Sequence, residues 1–371
     1  MRIRDVKARE RGLEKIRGPV APSFLRSCYP SSNYSFERQT DSRGYLVACA
    51  DGILKVILTH KILFMEQATP VKFQLETEPA SSRFQPQPDV YSNSITSLYG
   101  QTEFASSNAR AALVIAHPGH ELLVHGWLEL ARPCVFVLTD GSGRTNEPRL
   151  DTTTKILNEI GAKPGSIYGR LSDRAAYSAI LNREFDIFIR LAKELADAFI
   201  AERIDYVAGD AAEGHSPTHD VCRLIINAAV KITNQRSGQG VANFEFPLVS
   251  PPIANLAALH REDIWLQLEE KAFARKMALA KGYTTLTSEV SAALSRASAD
   301  AYRIECLHWV DGISDTRSWD GERPFYEDYG EKQVAAGYYD RVLRYHDHLE
   351  PLAEALSSCA EKEHLTNAEA Q

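Results

Sequence analysis

Cysteine is scarce and widely spaced in this sequence. The six cysteines lie at positions 28, 49, 134, 222, 306 and 359, and no two of them form a C-x-x-C pair. A disulfide framework would need cysteines packed densely into a short secreted chain. We therefore expect reduced thiols and a cytoplasmic protein, since disulfides are rare in that compartment.

The sequence also lacks runs of lysine or arginine. Its formal net charge is −7 and its pI is about 5.9, a balance that argues against a nucleic-acid-binding surface. Long uncharged apolar runs are missing too. The segment that comes nearest to such a run, 45–64, contains Asp51, Lys55, His60 and Lys61. These are too many charged and ionisable side chains for a membrane span. The amino-terminal residues have no apolar core, so no signal peptide is predicted.

What is present is the composition of a globular protein, with 44% hydrophobic and 25% charged residues among 371. That length predicts one large domain or two smaller ones. Residues 1–107 differ from the rest, because Ser, Pro, Gln and Asn are frequent and hydrophobic periodicity is weak. We interpret 1–107 as a loop-rich, poorly ordered N-terminal extension or a small regulatory or docking domain, 108–357 as an α/β domain, and 358–371 as a tail.

The most informative stretch is 111–127, A-A-L-V-I-A-H-P-G-H-E-L-L-V-H-G-W. Its first six residues are apolar and have the length of a buried strand, and residues 121–131 are patterned as a helix. His117 and His120 lie in the turn between them, three residues apart, so both imidazoles can face one point. That point is beyond the carboxyl end of a parallel strand, where open α/β sheets place their sites.

A second stretch has the same design. The apolar residues 204–209 predict another strand, and the S-P pair at 216–217 suits the N-cap and first position of a helix predicted over 218–230. His215 and His219 lie at the entrance of that helix. Neutral imidazole is a good zinc ligand, so histidines at two strand ends favour a metal site.

The remaining pattern alternates strands with helices. Further strands are predicted over 134–139, 166–169, 244–249 and 301–310, and further helices over 150–160, 179–202, 266–282, 288–298 and 334–349. Pro247 would confine the strand at 244–249 to an edge of the sheet. The alternation predicts an α/β fold: a Rossmann-like, mostly parallel sheet flanked by helices, with a helical C-terminal part.

Each candidate residue also has a purely structural interpretation. Instead of binding a metal, a histidine can cap a helix or lie in a solvent-exposed loop. This applies to His117, His120, His215 and His219. Asp140, in the D-G-S-G turn after the second strand, is either a turn residue or a carboxylate behind the metal ligands; that turn lacks the spacing of a P-loop. His125 is predicted to pack in the core, and His346 and His348 to lie on the surface.

Three segments resemble a known family. A-H-P-G-H-E at 116–121 resembles the A-H-P-D-D-E signature of the LmbE/PIG-L zinc-dependent N-deacetylases. L-T-D-G at 138–141 is similar to the end of that family's second strand, and G-H-S-P-T-H-D at 214–220 resembles its later H-P-D-H element. They occur in the family's order. The resemblance implies a Rossmann-like fold and N-acetylated amino sugars or their conjugates as substrates.

The resemblance also implies roles for particular residues. His117, His120 and His219 correspond to the ligands of Zn2+ or another divalent metal, with His120 in place of the family's second aspartate. His215 corresponds to the histidine that steadies the oxyanion. The family's first aspartate, its general base, is replaced by Gly119, which can do no proton chemistry.

These departures leave the source of the base open. Three neutral histidines would leave the full 2+ charge on the metal and acidify its water more than a ligand set that includes an aspartate. The carboxylates that could act as the base are Glu121, Asp140 and Glu213. Glu121 is the nearest in sequence, although it also matches the family's own glutamate, whose role can be to orient the turn.

Together these features predict a zinc-dependent hydrolase that removes an acyl group, in the simplest case acetyl, from the nitrogen of an amino sugar or related conjugate. One alternative is a catalytically silent relative that binds a sugar or a metal, which the loss at Gly119 favours. Another is a metal-dependent enzyme with different chemistry in the same pocket. The expected partner is a small molecule, with no nucleic acid and no membrane span; the oligomeric state is not predicted.

Overall fold

The computed structural model describes residues 95–100, 109–143, 146–238, 240–251, 262–311 and 323–369. All of them belong to one compact unit, Pro70–Gln371. The predictions for residues 1–94, including a loop-rich or docking extension, fall outside the described residues.

The described part of the chain contains one eight-stranded sheet. Its strands are β1 Ile95–Gly100, β2 Ala111–Ile115, β3 Cys134–Thr139, β4 Lys163–Leu171, β5 Tyr206–Asp210, β6 Ala242–Phe246, β7 Ile264–Leu268 and β8 Ile304–Trp309. The order across the sheet is β1-β7-β8-β6-β5-β2-β3-β4. The strands from β6 to β4 pair in parallel, whereas β8 is antiparallel to both β6 and β7, and β1 is antiparallel to β7.

Helices cover both faces of this sheet. They are α1 His125–Ala131, α2 Leu150–Ile160, α3 Asp173–Leu181, α4 Phe185–Glu202, α5 Pro217–Ser237, α6 Glu270–Gly282, α7 Thr287–Arg296, α8 Phe325–Ala335 and α9 Glu350–Glu369. Ala112 and Val114 of β2 join the core beneath α4, α5 and α9, while Leu113 and Ile115 join the core beneath α1 and α2. Successive residues of a strand point to opposite faces, so a strand covered on both sides is apolar throughout.

The predicted fold class is therefore confirmed: a mostly parallel, Rossmann-like sheet flanked by helices, with a helical C-terminal part. The predicted domain boundaries remain predictions. β1 lies within the segment predicted as an extension, and α9 runs across the predicted start of the tail.

The single helix predicted over 179–202 is wrong, because two helices, α3 and α4, occupy this region. Asn182 caps the end of α3, and Arg183 has a φ of 59°, a left-handed turn that interrupts the helical hydrogen bonds. The Ser172 hydroxyl accepts the backbone N–H of Ala175 at 3.1 Å, so α3 begins earlier than the apolar periodicity indicates.

Two predictions around β6 and β7 are also wrong. The sequence I-W-L-Q-L at 264–268 is a strand, and only the residues after it continue as helix α6. β6 is not an edge strand, since it pairs with β5 and β8. Pro247 lies directly after β6, where the strand needs no further N–H donor.

The helix predicted over 334–349 is wrong as well. α8 ends at Ala335, and Gly337 follows with a φ of 77°, a conformation that glycine adopts without strain. A π-helical turn at Tyr345–Leu349 then leads into α9. Pro351 lies in the first turn of α9, where a missing N–H costs no hydrogen bond. Within the described residues, no helix combines the length and the apolar character needed to cross a membrane.

The pairing of β1 with β7 generates a prediction about truncation. A chain beginning near residue 90 should keep the sheet edge, whereas one beginning near Ser107 loses β1 and exposes the backbone of β7. Exposed strand edges promote pairing between molecules. We expect the shorter chain to melt at lower temperature and to associate, as measured by thermal unfolding and size-exclusion chromatography against the full chain. Equal melting temperatures and elution profiles would show that β1 contributes nothing to the sheet.

Candidate metal centre

The turn after β2 is held by a buried glutamate. Gly119 has a φ of 106° and donates its N–H to Oε2 of Glu121 at 2.6 Å, while the Thr153 hydroxyl donates to Oε1 at 2.7 Å. Glu121 is fully buried, and burial raises its pKa. The helix predicted from 121 accordingly begins as a 3-10 turn, His120–Val124, before α1.

Three imidazoles meet beyond the ends of β2 and β5. The ring centroids of His117 and His120 are 5.4 Å apart, those of His117 and His219 are 5.1 Å apart, and those of His120 and His219 are 4.7 Å apart. Imidazoles that each bind a tetrahedral zinc through one nitrogen, at about 2.0–2.1 Å, have ring centroids roughly 5 Å apart. The arrangement therefore has the dimensions of a three-histidine zinc centre.

Two of these rings are oriented by oxygen atoms at their Nδ1. His120 Nδ1 lies 2.9 Å from Oδ2 of Asp210, and His117 Nδ1 lies 3.0 Å from Oδ1 of Asp173 and 2.7 Å from the Thr139 hydroxyl. A carboxylate behind a metal-binding histidine fixes the ring and raises its basicity. With Nδ1 engaged, Nε2 is the nitrogen that each of these rings can offer to a metal.

The protonation tendencies of the three histidines differ. Burial, followed by the neighbouring His120 and His117, holds the pKa of His219 well below its usual value, so this ring is neutral and able to bind a metal. Burial also disfavours the charged form of His120, but the charge of Asp210 and its hydrogen bond outweigh burial and raise the pKa. Protons and a metal would thus compete for His120.

His215 lies close enough to His219 to contribute to the lowered pKa of that ring. Its ring packs against Phe325 with centroids 4.6 Å apart. Burial, opposed by the charge of Glu213, lowers the pKa of His215, so the ring is neutral near pH 7. Phe325 is 52% exposed, which leaves an aromatic surface open beside the candidate centre.

The three carboxylates considered as bases are all held by backbone or hydroxyl donors. Glu121 closes the turn described above. Asp140 accepts the N–H of Ser142 at 2.9 Å, which is a turn contact. Glu213 accepts the N–H groups of residues 248, 249 and 250 at 2.7, 2.8 and 3.1 Å. Their geometry favours structural roles, although a catalytic role for Glu121 or Asp140 remains a prediction.

His125 packs in the core and His346 lies on the surface, as predicted, whereas His348 is half-buried rather than exposed. His125 is 1% exposed, and burial lowers its pKa to about 4. The side chain of His346 is 74% exposed and pairs with Glu350 at 2.9 Å. His348 accepts the backbone N–H of Arg344 at 3.0 Å.

Sequence reasoning missed the residues that support the histidines: Thr139, Asp173 and Asp210. A signal was present for Asp210, because it directly follows the strand predicted at 204–209, just as His117 directly follows the strand predicted at 111–116. Asp173 had a weaker signal. It follows the N-cap Ser172, and an acidic residue in the first turn of a helix is explained by the helix dipole without any role in a site.

Comparisons with known proteins add little. No family model and no curated protein matches the sequence. A solved structure, the zinc-inhibited form of teicoplanin deacetylase Orf2, is similar over 54% of this chain and 99% of its own, with 10% sequence identity and a TM-score of 0.34. Such values are too low for this likeness to bear on the chain's family or activity.

The contact between Asp210 and His120 generates a prediction about metal affinity. Asp210→Asn should weaken zinc binding by about 10–100-fold, the usual effect of removing a partner behind a ligand, as measured by competition with a chelator. The matched control is Asp205→Asn at the other end of β5, where Asp205 accepts the Arg110 N–H at 2.7 Å. Wild-type affinity in Asp210→Asn, or an equal loss in the control, would contradict a supporting role.

Proposed function

We propose that this protein is a zinc-dependent amide hydrolase of the LmbE/PIG-L type, which removes an acyl group from the nitrogen of an amino sugar or a related conjugate. The observation that carries the proposal is the convergence of His117, His120 and His219, with ring centroids 4.7 to 5.4 Å apart. This convergence joins two of the segments on which the sequence resemblance depends.

The donor chemistry of these residues fits zinc. His117 and His120 each have Nδ1 against a carboxylate, and His219 is held neutral by burial. Oδ1 of Asp210 is buried without a hydrogen-bond partner among the described residues, a cost that a nearby cation would reduce. Zinc bound by the three histidines would supply a Lewis acid that polarises an acyl oxygen and acidifies water.

We assign proton transfer to His215. It is the histidine beside the candidate ligands that is not part of their cluster, and its lowered pKa leaves it neutral and able to accept a proton near pH 7. Glu121, Asp140 and Glu213 are weaker candidates, because each accepts hydrogen bonds that hold a turn or a loop. In this assignment His215 takes a proton from water and returns it to the leaving amine.

Phe325 supports a substrate with a ring. It is 52% exposed and its ring packs against His215. On the same helix, the ring of Tyr329 stacks with that of Phe325, with centroids 6.1 Å apart. Sugar rings and other flat apolar groups stack on exposed aromatic side chains, which bury much area at little conformational cost. An amino sugar stacked on Phe325 would lie beside His215.

The second candidate function is a silent relative that binds a sugar or metal. Gly119 favours it, because no side chain stands where the resembled family has its general base. The third, different metal-dependent chemistry in the same pocket, has no observation of its own in its favour.

The first test of the proposal combines a metal assay with a substrate screen. The full chain should hold zinc at the histidine cluster and release free amine from N-acetylated amino sugars. His120→Ala should abolish both tight zinc binding and amine release, whereas His346→Ala, at an exposed histidine, should change neither. Zinc retained undiminished in His120→Ala would refute the ligand assignment; zinc without amine release from any substrate would favour the silent relative.

The second test concerns the proton. His215→Gln should lower kcat by about 10²–10⁴-fold, the usual contribution of general acid–base catalysis, while zinc content stays unchanged. Glu121→Gln, Asp140→Asn and Glu213→Gln should cost less, provided that each protein remains folded and loaded. If one carboxylate variant shows the large loss of kcat with zinc still bound, while His215→Gln keeps its kcat, that carboxylate is the base.

A further inference from the structure

A second group of metal-ligand side chains lies on the antiparallel side of the sheet: Asp263, Cys306 and His308. Strand register brings them together. Ile264 pairs with Leu307 and Trp265 with Cys306 across β7 and β8, so Asp263 faces His308 in the next position. Cys306 and His308 are two residues apart on β8 and therefore point to the same face.

The distances within this cluster are those of a metal site. Nδ1 of His308 lies 3.1 Å from Oδ2 of Asp263 and 3.5 Å from Sγ of Cys306, and all three donor atoms lie within 4.8 Å of one another. Around a tetrahedral zinc, with bonds of about 2.0–2.3 Å to N, O and S, donor atoms are separated by roughly 3.3–3.8 Å. Little movement would be needed to admit the ion.

A nucleophilic triad explains the cluster less well. In such a triad the thiol and the carboxylate contact different nitrogens of the histidine ring, whereas here both face Nδ1 of His308. Cys306 is 1% exposed and Asp263 is fully buried, so the thiol is not presented to a substrate. Three ligand types aimed at one interior point are better suited to holding a cation.

We propose that Asp263, Cys306 and His308 form a second, structural metal site for a divalent ion of zinc's preferences. Binding converts the Cys306 thiol to a thiolate and releases its proton to solvent. One thiolate and one carboxylate then balance a 2+ charge, and His308 contributes a neutral nitrogen. The side chain of His308 is 17% exposed, which leaves a route for a water molecule or a further ligand to complete the coordination.

The site would stabilise the antiparallel half of the sheet. Asp263 precedes β7, and its Oδ1 accepts the backbone N–H of Trp309 at 2.8 Å. A metal joining Asp263 to Cys306 and His308 therefore ties the start of β7 to β8. The proposal is independent of the hydrolase proposal, because it shares no ligand with the histidine cluster.

Cobalt distinguishes the two sites, because only the second contains sulfur. Full-length protein, stripped of metal under reducing conditions and loaded with Co2+ alone, should show the intense near-ultraviolet charge-transfer band of a cobalt–thiolate bond and hold two ions per chain. His120→Ala should keep the band and lose one ion. Cys306→Ser and Asp263→Asn should keep the ion at the histidines and lose most of the band, with lower melting temperature of the loaded protein.

Cys222→Ser is the matched control, since Cys222 is also buried but lies on α5, outside the cluster of Asp263, Cys306 and His308. It should leave the band unchanged. Absence of the thiolate band in the loaded wild-type protein would overturn the proposal without any variant. So would a band that survives Cys306→Ser, because another cysteine would then be the ligand. Circular dichroism of each variant shows whether a lost band reflects lost ligation or lost folding.

Discussion

The candidate centre depends on one buried carboxylate. Asp210, at the end of β5, accepts the backbone N–H of Ala116 at 2.7 Å and lies 2.9 Å from Nδ1 of His120 through the same oxygen. One contact fixes the end of β2 against β5, and the other fixes the ring that β2 delivers. Because Asp210 is fully buried, water does not compete for these bonds, and both are stronger than they would be at the surface.

This carboxylate also changes the expected electrostatics of the centre. Three neutral histidines alone would leave the full charge of a divalent ion unreduced, which would favour a strongly acidic water. Asp210 and Asp173, in contact with the rings of His120 and His117, draw the Nδ1 protons towards themselves and make the rings better donors. The negative charge that a ligating aspartate would bring is thus present behind the imidazole rings. From there it would reduce the effective charge of a bound ion less than a directly bound carboxylate would.

The sequence predicted the parts of this arrangement that are local. The turn after β2, the helix entrance at Pro217 and the buried strands β2, β3 and β5 follow from short-range patterns, and the structure places them where expected. Contacts over long separations could not be predicted: His120 and Asp210 are 90 residues apart, and His117 and Asp173 are 56 apart. The antiparallel strand β7 was missed because its apolar residues merge with those of α6, so one pattern appeared where two exist.

The turn after β2 is built around the conformation of Gly119. At its φ of 106°, a Cβ would lie 2.2 Å from Cδ1 of Leu286, which is itself 8% exposed and packed in the core beneath α1 and α2. An aspartate there would adopt a strained backbone and displace Leu286. Leu286 therefore occupies the space that a side chain at position 119 would need. Both the backbone conformation and the packing of Leu286 thus favour glycine at position 119.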